Sequence, residues 1–175
     1  MNHPLHSLPS LRLTCAALLA LVFIAGAHAQ GKLKVLIIDG QNNHQWATTT
    51  PLLKRILEDT GRFTVEVSTT PPSAPAAPRM AKDATPAQKT AQTESLTKHA
   101  AAVTAHKSAA PALWATWRPN FSAYAVVLSN YNGESWPAEV RTAFVAYVKN
   151  GGGFVSFHAA NNSFPEWPEY NAMIG

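Results

Sequence analysis

Two uninterrupted apolar runs, at residues 35–38 and 125–128, constrain the fold of this chain more than any other feature. A strand that faces water on one side alternates apolar and polar residues, whereas a continuous run is typical of a parallel strand covered on both faces. A further strand is predicted at residues 63–67, and a short buried strand follows the three glycines that end at Gly153. Helical patterns separate the strands, and this alternation predicts an α/β fold with a doubly wound parallel sheet. The flavodoxin-like strand order 2-1-3-4-5 would place the first, third and fourth strands side by side.

Amphipathic spacing and start signals predict a helix after each of the two runs. The first helix begins with Thr50 as N-cap and Pro51 in its first turn, and it ends at Gly61. Its apolar residues are expected to form one buried stripe: Leu53, Ile56 and Leu57. The second helix opens at Pro137, and its apolar residues also recur at helical spacing: Val140, Phe144, Tyr147 and Val148.

Residues 71–112 break this pattern, because they contain many Ala, Thr and Lys residues and few large apolar ones. Thr85 begins the spacing of a capping box with proline at the first helical position, so a solvated helix over about 86–107 is one interpretation. A disordered, low-complexity insertion is the other interpretation. His99 and His106 lie seven positions apart on this segment and are expected on its solvated surface.

Residues 1–29 have the three parts of a secretory signal: a basic start, an apolar run, and an Ala-His-Ala site that ends at Ala29. We expect cleavage after Ala29, export to the periplasm or the extracellular space, and no stable membrane anchor after cleavage. The only cysteine, Cys15, lies within this segment. The mature chain, residues 30–175, would therefore lack a thiol for catalysis, zinc binding or a disulfide, and it is long enough for one domain with a core.

The formal net charge of +4 is concentrated outside the predicted sheet. Residues 71–112 hold five basic and two acidic side chains, and Arg12 in the signal segment adds one further positive charge. The rest of the chain is therefore close to neutral, which argues against a nucleic-acid partner.

Polar loops follow the three strands that the predicted order makes neighbours. Asp39 ends the first strand and His44 lies in the loop after it, residues 130–134 follow the third strand, and His158 lies at the end of the fourth. In an open α/β sheet, ligands bind just beyond the carboxyl ends of the strands. We therefore expect Asp39, His44, Asn132 and His158 to surround one crevice at that edge.

Four segments of the chain resemble the ThuA-like (trehalose utilisation) family: residues 35–44, 130–134, 151–158 and 167–171. The resemblance implies a fold similar to that of class I glutamine amidotransferases and a link to disaccharide or keto-sugar metabolism. The insertion at about 71–112 looks longer than is usual in this family. The C-terminal portion of the family also looks to be missing, so the domain is expected to be incomplete, with a sheet truncated at its C-terminus.

The amidotransferase reaction itself does not follow from that fold. It requires a cysteine nucleophile on the sharp turn after a strand, whereas this chain has His158 followed by two alanines at that turn. Ser156 precedes the turn and lies on the strand, which makes it a poor substitute. We therefore expect no Cys-dependent amidotransferase activity.

The resemblance to a family of sugar metabolism suggests roles for the polar strand ends. His158, with Asp39 or Glu134, would be the catalytic acid and base, because imidazole gives and takes protons near neutral pH. Other residues would bind a small carbohydrate through ring faces and hydrogen bonds: His44, Trp46, Asn130, Tyr131, Asn132 and Asn161.

Two other functions remain open from the sequence. The chain would serve equally as a non-catalytic module that binds a sugar or another partner. A metal-dependent hydrolase is the other alternative, with His44 and His158 holding a divalent ion such as zinc, although no H-E-x-x-H spacing is present. No further cofactor is identified, and the oligomeric state is left open.

Overall fold

The computed structural model of the protein describes residues 31–79 and 82–175. The compact unit that carries the fold begins at Leu33. The predicted signal segment, residues 1–29, and its cleavage site lie outside the described residues.

Four parallel strands form one sheet in the order β2-β1-β3-β4: β1 (Leu33–Asp39), β2 (Phe63–Thr69), β3 (Val126–Ser129) and β4 (Gly153–Ser156). β1 lies between β2 and β3, and Val35 pairs with both Val65 and Val126. β4 pairs with β3 on the other side. The α/β class and the flavodoxin-like strand order are therefore confirmed for these four strands.

Four helices connect or follow the strands: α1 (Trp46–Asp59), α2 (Pro86–Thr116), α3 (Ala138–Lys149) and α4 (Pro168–Ile174). Two short 3-10 segments, Phe121–Ala123 and His158–Asn162, precede β3 and follow β4. Each pair of strands that is consecutive in the chain is joined by a crossover that contains one of the first three helices, and parallel strands require such a crossover. Within residues 31–79 and 82–175, no helix is both long and apolar enough to span a membrane.

Both faces of β1 are buried, which explains its continuous apolar sequence. On one face, Val35 and Ile37 pack in a cluster with Leu53 and Leu57 of α1. On the other face, Ile38 belongs to a second cluster whose buried aromatic members come from four segments of the chain: Trp117, Phe121, Tyr131, Trp136, Phe144, Tyr147, Phe164, Trp167 and Tyr170. This aromatic cluster anchors the segments that carry the loops after β3 and β4.

α1 begins at Trp46, five residues before the predicted first helical residue, Pro51. Thr50 is not an N-cap, since it lies inside the helix, is 4% exposed, and accepts a hydrogen bond from Asn130 Nδ2 at 3.0 Å. Pro51 also lies inside the helix. The predicted start was wrong because the Thr50 side chain forms a buried tertiary hydrogen bond and does not cap the helix.

Two apolar residues that were predicted to be buried are exposed. Ile56 is 55% exposed, because α1 presents Leu53 and Leu57 to the sheet and turns Ile56 away from it. Val155 is 47% exposed, because β4 pairs only with β3 among the described strands and lies at an edge of the sheet. The fourth strand was predicted to be buried, and this was wrong because its residues are half-buried or, at Val155, exposed.

The insertion forms a longer helix than the sequence predicted. The capping box is present, with Thr85 Oγ1 accepting from the Gln88 backbone and Gln88 Oε1 accepting from the Thr85 backbone. α2 then continues through Pro111 to Thr116, and none of its residues is buried. His106, however, was predicted on the solvated surface, and its side chain is only 12% exposed because it lies against Glu134.

Candidate functional site

The loops after β1 and β3 are joined by hydrogen bonds at the carboxyl edge of the sheet. The backbone N–H of Asn130 donates to the carbonyl of Ile38, and the N–H of Asn132 donates to the carbonyl of Gln41, both at 2.9 Å. Asn42 Nδ2 also donates to the carbonyl oxygen of Asn130 at 3.2 Å. The two loops therefore form one continuous wall, as the strand order predicted.

The loop after β4 meets the loop after β1 through two histidines. The ring centroids of His44 and His158 are 4.4 Å apart, and the ring planes are inclined by 50°. Both residues are exposed, so solvent and solutes reach this ring pair. The first and fourth strand ends therefore contribute one imidazole each to the same point of the surface.

His158 has a backbone conformation that is unusual for a residue with a side chain. Its φ is +51°, in the left-handed region, at the turn where β4 ends and the 3-10 segment begins. Such a conformation costs about 1–3 kcal/mol and persists where the surrounding structure enforces it, often at functional positions. The position therefore marks His158 as the first candidate for chemistry at this edge.

Buried hydroxyl groups hold the segment that follows His158. Tyr170 OH donates to the carbonyl of Ala160 at 2.8 Å, and Ser163 Oγ donates to the carbonyl of Tyr131 at 2.7 Å. Burial raises the pKa of Tyr170, which keeps its hydroxyl protonated as a donor. Phe164, whose φ is +55°, is buried in the aromatic cluster and fixes the far end of the segment.

The carboxylates that were predicted as partners of His158 are bonded elsewhere. Asp39 is 2% exposed, and its Oδ1 accepts a hydrogen bond from Thr69 Oγ1 of β2 at 2.7 Å. Glu134 accepts from Trp114 Nε1 of α2 at 3.1 Å. Within the part of the chain that the structure describes, no hydrogen bond or ion pair joins His158 to a carboxylate.

The family model for ThuA, described as trehalose utilisation, matches residues 34–175. The chain belongs to the ThuA family. The crystal structure of a ThuA-like protein from Parabacteroides merdae is 34% identical in sequence, with a TM-score of 0.56. The match covers 80% of this chain and 37% of that one, so the chain spans little more than a third of the length of this relative. No curated protein is significantly similar to the chain.

Two of the residues predicted to bind sugar are buried in this ThuA domain. Tyr131 is fully buried, and its ring stacks on Phe164 with centroids 5.7 Å apart. The prediction that the Tyr131 ring is open to a sugar is therefore wrong, because the aromatic cluster covers that ring. Asn130 is 3% exposed and joins β3 to α1 through Thr50, so it holds the site together rather than facing solvent.

The other predicted binding residues remain accessible around the histidine pair. Asn132 is half-buried, and its Nδ2 donates to Asn43 Oδ1 at 3.3 Å. Asn161 is exposed, and its Oδ1 accepts from Ser156 Oγ at 2.5 Å. Trp46 is half-buried at the start of α1. The amide groups and the indole of this ThuA domain thus lie on the segments that follow β1, β3 and β4.

Gln41 is the residue that sequence reasoning missed. It is 3% exposed, and its Nε2 donates to the carbonyl of Pro71 at 2.7 Å. Its Oε1 accepts from the Glu134 backbone at 2.8 Å and from Tyr131 OH at 3.2 Å. A Cβ added at Gly133 would lie 2.3 Å from this Oε1, so glycine is required there for the loops to approach. A glycine within a polar loop was the available signal for such a contact.

A metal centre would need more ligands than the histidine pair supplies. Among the described residues, no group of three or more His, Cys, Asp or Glu side chains is arranged to hold an ion. The two imidazoles would therefore offer two protein ligands, with the remaining positions left to substrate or solvent.

A concave region lies at the opposite, amino-terminal end of β3. A cavity of about 650 Å³ is lined there by residues that include Asn120, Tyr124, Tyr147 and Gly152. Its position at the other edge of the sheet separates it from the histidine pair, because the two edges are the opposite ends of the same strands.

Proposed function

We propose that this ThuA domain acts on a small carbohydrate, a trehalose-type disaccharide or a keto-sugar, at the carboxyl edge of its sheet. The observation that carries the proposal is the contact between the rings of His44 and His158, with His158 in a left-handed conformation at the turn after β4. The description of the family as trehalose utilisation supports the class of ligand.

His158 is the proposed proton-transfer residue. Imidazole serves as general acid or base near neutral pH, and the exposed ring of His158 is available to a sugar hydroxyl or carbonyl oxygen. His44 is its proposed neighbour in place of a carboxylate, because Asp39 and Glu134 are engaged with Thr69 and Trp114.

The surrounding side chains suit a ligand that is rich in hydroxyl groups. Asn132 and Asn161 offer amide donors and acceptors, and the indole of Trp46 offers an apolar surface for a sugar ring. These groups would bind and orient the carbohydrate, while the histidine pair transfers the proton.

Export is part of the same proposal. Residues 1–29 have the composition of a secretory signal, and a secreted domain would meet its carbohydrate outside the cytoplasm. Sequencing the amino terminus of the processed protein tests this step. A chain that starts at Gln30 is expected, and an intact Met1 in the exported fraction would contradict it.

The replacement of His158 by asparagine tests the site. His158→Asn removes the titrating group, and asparagine tolerates a positive φ, so the variant is expected to fold normally. We expect it to retain trehalose binding within about threefold but to lose at least about a hundredfold in turnover, the contribution typical of a general acid or base. Binding is measured by calorimetry, and turnover is measured by product analysis of trehalose and of its keto-sugar derivatives.

The matched control is His99→Asn, because His99 is a half-buried histidine of α2 whose Nε2 lies 3.0 Å from the carbonyl of Pro75 in the insertion. Turnover of this variant is expected to equal that of the unaltered chain. Equal losses in both variants, or sugar-induced NMR shifts confined to the cavity at Tyr124 and Gly152, would overturn the proposed site.

The contact between the two imidazoles also favours a second candidate, a metal-assisted site. In that case purified protein would carry about one equivalent of a transition metal, and His44→Asn and His158→Asn would each release it. Metal analysis of the three proteins separates this outcome from proton transfer. If the unaltered chain binds sugar without converting it, the domain is instead a non-catalytic binding module.

A further inference from the structure

α2 has no buried residue to fix its position on the domain. It contains 31 residues, many of them Ala, Thr and Lys, and every one is exposed or only half-buried. An apolar stripe normally holds a surface helix against its core, and α2 lacks one over most of its length. Its placement must therefore depend on a few specific contacts.

Two of the polar contacts of α2 bind the helix only to its own linker. His99 Nε2 lies 3.0 Å from the carbonyl of Pro75, and Gln92 Nε2 donates to the carbonyl of Pro78 at 3.2 Å. Pro75 and Pro78 belong to the same insertion as the helix. These contacts stabilise the insertion internally and do not attach it to the sheet domain.

Among the described residues, the side-chain hydrogen bonds that α2 makes to the sheet domain end on Glu134, and Trp114 also packs against the aromatic cluster. The Glu134 carboxylate accepts a hydrogen bond from Trp114 Nε1 at 3.1 Å and lies 3.4 Å from His106 Nε2. It also accepts a hydrogen bond from the backbone N–H of Ala74 at 3.4 Å. His106 and Trp114 lie on α2, and Ala74 lies in the linker before it. The side chain of Glu134 therefore contacts both α2 and the linker before it, and Gln41 adds a hydrogen bond to Pro71 at the start of the insertion.

The backbone of Glu134 belongs to the candidate site. Its N–H donates to Gln41 Oε1, and its carbonyl accepts from Tyr131 OH at 2.5 Å. Asn132, two positions earlier, bonds to the loop that carries His44. The side chain of Glu134 thus faces the insertion, while its backbone is fixed to the loops of the histidine pair.

We propose that Glu134 is a latch that couples docking of α2 to the order of the candidate site. When the carboxylate holds His106 and Trp114, it fixes the loop of residues 131–134 and, through Gln41, the loop after β1. Coupling of this kind is reciprocal, so a carbohydrate that orders these loops also tightens the docking of α2. The second half of this statement rests on the proposed function, whereas the latch itself does not.

Hydrogen exchange of the full-length chain, followed by NMR, tests the latch without a ligand. Glu134→Gln keeps the shape of the side chain but removes its charge, and hydrogen bonds to charged groups are the stronger ones. We expect amide exchange to rise about tenfold in residues 100–112 and at the amides of Asn132 and Glu134, with exchange in residues 35–38 unchanged. Glu94→Gln, the same substitution at an exposed position of α2, is the control and should change neither region.

A double variant, His106→Gln with Trp114→Phe, separates coupling from a direct effect on the loop. It leaves Glu134 intact and removes its partners on α2, so the Asn132 and Glu134 amides should again exchange about tenfold faster. Faster exchange confined to residues 100–112 would overturn the coupling, and unchanged exchange there in Glu134→Gln would overturn the latch.

The ligand-dependent half is tested with trehalose. Saturating trehalose should slow exchange in residues 100–112 of the unaltered chain but not of Glu134→Gln. Binding with no such slowing would overturn the ligand-dependent half. If trehalose does not bind, the proposed function fails, and the two variants still decide the latch.

Discussion

His158 combines a reactive side chain with a strained backbone, and these two properties can be separated by substitution. At φ +51°, glycine avoids the clash of Cβ with the following carbonyl, whereas alanine retains it. We expect His158→Gly to be more stable to urea than His158→Ala by about 1 kcal/mol. Both variants lack the imidazole, so the difference reports the backbone alone, and equal unfolding free energies would show that the turn is unstrained.

Gly133 shows how closely the loops at the site approach each other. In Gly133→Ala, the new Cβ would lie 2.3 Å from Gln41 Oε1 and 2.4 Å from Gln41 Cβ, so the loops must separate. We expect the free energy of unfolding to fall by about 1–3 kcal/mol, as the hydrogen bonds of Gln41 lengthen. Thermal unfolding measures the loss. Gly31→Ala, where nothing lies within 4 Å, is the matched control and should unfold like the unaltered chain.

The strands were the elements that the sequence predicted best, because a strand that is buried on both faces has a continuous run of apolar residues. The runs at 35–38 and 125–128 became β1 and β3, and their order made the polar loops neighbours. The start of α1 was missed because the role of Thr50 depends on Asn130, 80 positions away. Local signals such as a Thr-Pro pair carry no information about a partner so distant in sequence.

The strand order indicated which loops lie at one edge of the sheet, but not which side chains pair there. The meeting of His44 and His158 is consistent with the strand order, since the carboxyl ends of β1 and β4 lie at the same edge of the sheet with only β3 between them. The direction of a side chain within a loop does not follow from strand order. Glu134 therefore bonds to α2 instead of His158, and the three hydrogen bonds of Gln41 were not predicted, although Gly133 in the facing loop was a signal of a close contact.

At the scale of the whole molecule, the insertion is expected to be separable from the sheet. Pro71 and Leu113 line the same small surface cavity, so the ends of the insertion lie close together. Replacing residues 72–112 with a short Gly-Ser linker should leave the free energy of unfolding within about 2 kcal/mol, because the shorter connection offsets the lost contacts. Slow amide exchange should persist at residues 35–38 and 126–129. Loss of cooperative unfolding would show that the insertion is part of the core.

The central position of β1 has a consequence for how the chain reaches its native state. β1 pairs with β2 after a single helix, whereas Val35 meets Val126 about 90 residues further along the chain. Pairings between distant segments form slowly, although the entropy of closing a longer loop rises by only about 0.6 kcal/mol for each doubling of its length. The β1–α1–β2 unit can therefore assemble early, while the loops after β3 and β4 join it late. A partly folded chain would present a stable strand pair together with His44, but the second histidine would arrive only when folding is complete.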